Sequence, residues 1–502
     1  MLPLTPELVT LSVLNHVIGP VIRGPSSSHT GASYFIGKLA RELLLDELCE
    51  ATVTFDEGGS YAKVYKQEAS DLAFVSGLLG LNLEDESFRR AIEASQELGV
   101  KVKFRLGNLG EAPHPNEVLI ELKGRRKELR VRARSIGGGM FEIIELNGVR
   151  VRLKGDEYLY AYETSEAPPE LSYGSVIPLG DRFMVIIGSS ERKEGLDGGR
   201  ADSKVIEPIF LPLRGKPIFS NAEELRTLCE REGMSLGEAG MKYESELLGI
   251  EEEEVAELML KRYEVMKSSI EYGMSGKVSL RTLKPSASSI YRKLVGKELP
   301  VGGPHSRAAA LAMAVMHACN SNALVVAAPT GGSAGVIPGV LATLEEEKGL
   351  SERDLVRCLF AAGAVGLLIG SRATFAAEEA GCQVEIGAAG AMASALVIEA
   401  FKGSCEQALN AAAISLQNIV GMVCDPVGGY VEVPCHTRNA VAAASAFVNA
   451  DLVMGGYDNP IPLDETVDAV YSVGRMLPSE LKCTAMGGLA ACPSAAKFKV
   501  WP

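Results

Sequence analysis

Three cysteines, Cys382, Cys424 and Cys435, stand among glycines, prolines and small apolar residues in GCQVEIG and CDPVGGYVEVPCHTRNA. As thiolates they could ligate one ion or cluster; as thiols they would be three small buried hydrophobes. Structural zinc normally shows four ligands and short CxxC spacing, and this chain has no CxxC pair. Between Cys424 and Cys435 lie ten residues, DPVGGYVEVP, whose two prolines and two glycines cannot stay helical and must loop, which can bring the two ends together. HTRNAVAAASAF after Cys435 reads as a helix, so that cysteine lies near a helix N-terminus, where free amides and the dipole favour a thiolate. Cys382 follows a glycine and precedes VEIGAAGAMASALV, which turns helical within a few residues. Three thiolates at loop-to-helix junctions suit a cluster or metal with one position open for chemistry. Spacing alone leaves thiols and ligands both open.

A second polar motif is GPSSSHT. Gly24 and Pro25 bend the chain, and Ser26, Ser27, Ser28, His29 and Thr30 offer hydroxyls, an imidazole and backbone amides at the start of the expected helix ASYFIGKLARELL, which makes a site for a carboxylate or other anion. The alternative is an elaborate N-cap with a hydrogen-bonded histidine. Asn116, Thr330, Gly331, Gly332 and Ser333 are further binding candidates. Asp425, Arg438 and Asn439 either hydrogen-bond around the cysteines or cap a helix.

These residues must be positioned by two different kinds of structure. Residues 1–150 mix helical patterns with strand-like runs such as ATVTFDEG, GVKVKFRLG, NEVLIELKG and KELRVRARSI, predicting an α+β domain. Within it the glycine triplet of SIGGG predicts a tight turn. Residues 151–215 read as a short β-rich extension or linker carrying an exposed charged loop, ERKEGLDGGRADSK. Residues 216–502 open with Ser220 or Asn221 as N-cap and continue as amphipathic and then Ala/Gly-rich helices, predicting an all-helical domain whose small residues let helices approach closely. Cys229 and Cys319 sit on apolar helix faces there.

Across 502 residues, 47% hydrophobic and 23% charged, the composition is that of a folded protein of several domains. A net charge of −14 excludes a general nucleic-acid binder, since phosphate neutralisation needs clustered Lys and Arg. Ten irregularly spaced cysteines do not make a secreted disulfide framework. Residues 1–20 lack the pattern of a signal peptide, so a cytoplasmic location is expected. SNALVVAAPTGGSAGVIPGVLATL is uncharged over much of its length, but PTGG and IPG break it, arguing against a membrane span.

The cysteine motifs, with RGPSSSHTGA, HPNEVLIEL, SIGGG, APTGGSAGVIPGVL and the late GGLA, closely resemble the iron-sulfur L-serine dehydratases (L-serine ammonia-lyases) in the single-chain form with fused beta-type and alpha-type domains. The resemblance spans both halves of the chain. It implies an amino-terminal α+β domain like an allosteric substrate-binding fold, followed by an all-helical catalytic domain. It further implies a 4Fe-4S cluster on Cys382, Cys424 and Cys435, one iron being left open as a Lewis acid for the substrate hydroxyl. The implied product is pyruvate with release of ammonia, in amino-acid degradation and gluconeogenesis, and the implied assembly is a homodimer. Substrate binding falls to Ser26, Ser27, Ser28, His29, Thr30, Asn116, Thr330, Gly331 and Ser333, and the candidate bases are His29, Ser28 and Glu68.

Two departures from the family pattern bear on this. A histidine expected in a GHxTD-like stretch is replaced in KQEASD by Glu68. Some family members end in a cysteine that occupies the open iron, whereas this chain runs on through CTAMGGLAACPSAAKFKVWP, with Cys492 the nearest match and Cys483 a poorer one. Rival functions are β-elimination from another amino acid such as L-cysteine, a pyridoxal-phosphate enzyme using Lys293, or a non-enzymatic cluster-bearing sensor.

Overall fold

The alternating runs of the first half build a six-stranded sheet. Its order is Lys101–Gly107, Leu48–Asp56, Glu117–Gly124, Glu128–Gly137, Met140–Leu146, Val149–Leu153. Only the first neighbouring pair is parallel. Along Glu128–Gly137 every second residue is buried, so one face packs while the other carries arginines, the expected consequence of a two-residue period. The helices Ala32–Leu43 and Ser70–Leu79 pack on one another, and the first also packs on Glu128–Gly137 and Met140–Leu146. Phe55 is stacked on Tyr61 at 5.0 Å. Gly137, Gly138 and Gly139 all take positive φ (91°, 62° and 93°), which only glycine adopts freely, and so make the tight turn the sequence predicts. A second, four-stranded antiparallel sheet follows in the order Lys204–Ile206, Tyr158–Thr164, Arg182–Ser189, Ser175–Leu179.

The computed structural model describes residues 10–110, 114–166, 174–194, 196 and 203–498; half of the charged loop expected at 191–204 lies outside them. It falls into two compact units, Ser26–Arg214 and Met1–Pro25 with Gly215–Pro502. The fold class is the expected one: a mixed α+β unit and a helical one. The unit limits differ from the boundaries read above. Residues 151–214 belong with the preceding strands instead of forming a separate extension, and the chain up to Pro25 belongs with the helices.

In the helical unit small residues do what their size allows. Every residue of Ile386–Ala400 is buried, and this helix packs against Val336–Lys348, Glu352–Arg372, Cys405–Gln417 and Cys435–Met454. Glu352–Arg372 and Cys382–Ala400 are long and apolar enough to cross a membrane by composition, and 78% and 94% of those stretches are buried within the fold. The uncharged stretch around APTGG is not one segment: it is a short strand, Leu324–Val326, a turn at Gly331–Ser333 and the helix Val336–Lys348. Asn221 is the N-cap of Ala222–Glu232, its Oδ1 accepting from the Glu224 amide.

The early chain joins this unit through a notch. The π-helical turn Val13–Val17 lies on Glu352–Arg372, where a Cβ at Gly363 would come within 2.4 Å of Val13 and one at Gly366 within 2.1 Å of Val17. Buried Glu244 accepts from the Ser12 hydroxyl (2.5 Å) and the amides of Val13 (2.7 Å) and Leu14 (3.0 Å). Val21–Arg23 then pairs antiparallel with Leu324–Val326, anchoring the strand that leads into the APTGG turn.

Glu244→Ala would strand three buried donors, so a stability loss on the order of 3 kcal/mol is expected in chemical denaturation followed by circular dichroism. An unchanged midpoint would show that the carboxylate does not hold the early chain.

Candidate functional site

Cys382 opens a short 3₁₀ turn, Cys382–Val384, immediately before the buried helix Ile386–Ala400. Its side chain gathers with those of Cys424, Cys483, Ala377 and Ile386. Cys424 lies in the loop before the Pro-Val-Gly-Gly turn and is pinned to the late chain: its amide donates to the Leu481 carbonyl (2.9 Å), and the Cys483 amide donates to its carbonyl (3.1 Å). Cys483 has a left-handed φ of 61°, a strained conformation for a non-glycine residue. Cys435 is the first residue of the helix Cys435–Met454 and packs with Met316 and Val431.

Arg438 lies one turn into that helix. Burial alone would lower its pKa, but those thiols and Asp425 outweigh burial and raise it. Its guanidinium donates to the Val423 carbonyl (2.9 Å) and pairs with Asp425 (3.0 Å). Asp425 Oδ2 in turn accepts from the Leu489 amide (2.8 Å), so one carboxylate joins the cysteine loop to the GGLA tail.

The buried thiols are held protonated by one another. Cys382 donates to Cys424, and with burial and the nearby Glu385 carboxylate this lifts its pKa well above the usual thiol value. For Cys424, accepting from Cys382 acts downward, but donating to Cys483 and burial prevail, and it too ends well above the usual value. Only a strong cation would draw off these protons, and ligation by a metal does so outright. Cys382, Glu385 and Cys424 offer ligand atoms within 4.8 Å of one another and can hold a metal ion. Glu385 was not singled out in sequence, although it sits inside the GCQVEIG motif itself.

The Thr330–Ser333 turn lies in the same unit. The Thr330 and Ser333 hydroxyls meet each other (3.1 Å), and Gly331 O faces the Cys319 thiol (3.5 Å). Asn439 ties the turn to the cysteine helix: its Nδ2 donates to the Gly332 and Cys435 carbonyls (2.8 and 2.9 Å), and its Oδ1 accepts from the Gly335 amide (3.1 Å). Asn439 and Arg438 therefore both bond around the cysteines instead of capping a helix. His436 turns away from the ligand role: its Nε2 meets Asn320 (3.0 Å), its ring lies edge-on to His317, and burial pushes its pKa down to about 3. Cys492, the expected tail match, is exposed; Cys483 is the tail thiol that reaches Cys424.

In the sheet unit, Ser27–Gly31 forms a π-helical turn capped by the Ser26 hydroxyl, which accepts from the His29 amide (3.2 Å). His29 is fully buried. Its Nδ1 meets Glu68 Oε2 at 2.9 Å and Ser28 Oγ at 3.2 Å, and its Nε2 meets Ser60 Oγ at 3.0 Å. A carboxylate on Nδ1 fixes the proton there and leaves Nε2 to accept. Thr30 Oγ1 donates to the Glu68 carbonyl (2.7 Å), so the two motifs, far apart in sequence, close on each other. Asn116 is fully buried with neither amide atom bonded, and Ser135 Oγ beside it is likewise unbonded. The Ser135 amide donates to the Asn116 carbonyl (3.1 Å).

The family model for the serine dehydratase alpha chain matches residues 225–490, just over half of the chain. This chain belongs to that family. The "L-serine dehydratase TdcG" of Escherichia coli (strain K12) is 33% identical across 93% of this chain and 96% of its own length. The "L-serine dehydratase" of Streptomyces coelicolor is 30% identical over the same shares. The "Probable L-serine dehydratase, alpha chain" of Bacillus subtilis (strain 168) is 34% identical over 55% of this chain and 93% of its own. The alpha-chain likeness thus falls in the helical unit, while the longer relatives align through the sheet unit as well.

Iodoacetamide applied to the folded protein without oxygen is expected to modify Cys49 and Cys492 and to spare the eight buried cysteines, as read by peptide mass mapping. Rapid modification of Cys483 would contradict its place against Cys424.

Proposed function

We infer that the protein is an L-serine ammonia-lyase, converting L-serine to pyruvate and ammonia, with a 4Fe-4S cluster carried by Cys382, Cys424 and Cys435. The observation that carries this reading is the meeting of Cys382 and Cys424, whose sulfurs lie with the Glu385 carboxylate within 4.8 Å of one another, in a chain that aligns almost end to end with L-serine dehydratases. The donor set fits such a group: soft sulfur ligands, burial, small neighbours, and no fourth histidine turned inward. When bound, the cluster supplies a Lewis-acidic iron that makes the substrate hydroxyl a better leaving group.

The remaining work belongs to the chain. Arg438 offsets the negative charge that three thiolates bring into a buried site, and Asp425 holds it there. Asn439 keeps the Thr330–Ser333 turn and its hydroxyls in register with Cys435. Cys483, not Cys492, is the tail thiol that packs with Cys382 and Cys424. In the sheet unit, Ser26, Ser27, Ser28, Thr30 and Asn116 offer hydrogen bonds to the polar groups of an amino acid. His29, with Ser28 and Glu68, is the group equipped to hold or pass a proton.

Protein purified without oxygen should contain about four irons and four sulfides per chain and form pyruvate from L-serine. Cys424→Ser should lose most of that iron and reduce turnover by at least about a hundredfold. Iron-free protein with full activity would defeat the proposal, and sulfide release from L-cysteine outpacing pyruvate from L-serine would move the substrate.

A further inference from the structure

Glu385 has no role in the reading above, yet it lies at its centre. Its Oε2 is 3.9 Å from the Cys382 sulfur, and its carboxylate falls with Cys382 and Cys424 inside 4.8 Å. On its other side it faces the Thr330–Ser333 turn: a Cβ built on Gly332 would stand 3.5 Å from each carboxylate oxygen. The carboxylate therefore fills the space between the thiols and a turn that offers hydroxyls. It is only half-buried, so a solute can reach it.

Electrostatics makes this placement informative. A carboxylate within 4.8 Å of two sulfurs adds negative charge to the place where they meet. Arg438 supplies one positive charge, and it is already engaged by Asp425 and the Val423 carbonyl. Three thiolates and a carboxylate against one guanidinium leave the pocket anionic even after the +2 charge of a 4Fe-4S core is counted. Such a pocket favours a ligand that brings its own positive charge. An amino acid does so on the carbon next to the one bearing the leaving hydroxyl.

We propose that the Glu385 carboxylate anchors the α-ammonium group of the amino-acid substrate, holding it between the cysteine centre and the Thr330–Ser333 turn. This inference rests on the L-serine reading and adds to it a reason for selecting amino acids over hydroxy acids. Glu385 is a substrate-contacting residue in this scheme, and no proton transfer is assigned to it.

The test compares wild type with Glu385→Gln and Glu385→Asp, prepared without oxygen, using L-serine as substrate and glycerate, which replaces the ammonium by a hydroxyl, as competitive inhibitor. Glu385→Gln should raise KM for L-serine by about tenfold to a hundredfold, the effect of losing one charged hydrogen bond, with kcat changed by less than about threefold. Glycerate should inhibit it as well as or better than wild type, and Glu385→Asp should recover part of the KM. Iron and sulfide content should stay at the wild-type level. An unchanged KM with collapsed kcat, or equal weakening of serine and glycerate, would overturn the ammonium assignment while leaving the lyase reading intact. Loss of iron in Glu385→Gln would make the residue a metal ligand and also overturn it. A wild-type protein without iron or without serine turnover would instead bring down the underlying reading and this inference together.

Discussion

Burying several thiols side by side in an apolar interior is the constraint on which the helical unit is built. In an apolar interior each thiolate is strongly disfavoured, and the protein alone leaves Cys382 and Cys424 as mutually hydrogen-bonded thiols far from ionisation. A multivalent cation reverses that balance, and one guanidinium, Arg438, lies beside the cysteine loop on the Val423 carbonyl and Asp425. The architecture makes most sense as a binding site whose energetics are completed by what it binds.

The rest of the unit serves to bring these side chains together without a continuous element to carry them. Cys382 precedes a helix, Cys435 begins one, and Cys424 hangs in a loop that only the late chain steadies, through Leu481, Cys483 and the Asp425–Leu489 bond. Alanine and glycine let the supporting helices approach closely enough for this, as at Gly363 and Gly366, where the valines of the early chain occupy the space a side chain would need. The tail is thus part of the site's framework, which explains why GGLA occurs far from the cysteines in sequence.

Much of this was legible in the sequence because it depends on residue type and local spacing. Loop-to-helix junctions at Cys382 and Cys435, the SIGGG turn and the Asn221 cap all follow from glycine, proline and capping chemistry within a few residues. What could not be read depends on long-range closure. The pairing of His29 with Glu68 needs two segments of the sheet unit to fold onto each other, and nothing local in KQEASD announces it. Distance from the end of the chain favours Cys492 over Cys483, whereas backbone pairing sets Cys483 beside Cys424. Nothing local marks Glu385, since a glutamate opening a helix is usually only a favourable charge on its dipole. The unit limits shifted for a similar reason: the hydrophobic pattern of residues 10–25 shows that they are buried, but not against what.

The most direct measurement is Mössbauer spectroscopy of protein loaded with ⁵⁷Fe and kept free of oxygen, recorded with and without L-serine. A cubane on three cysteines predicts one iron site distinct from the other three, whose isomer shift rises when serine is added as its coordination number increases. Four equivalent iron sites unmoved by serine, or no cluster at all, would contradict the central claim.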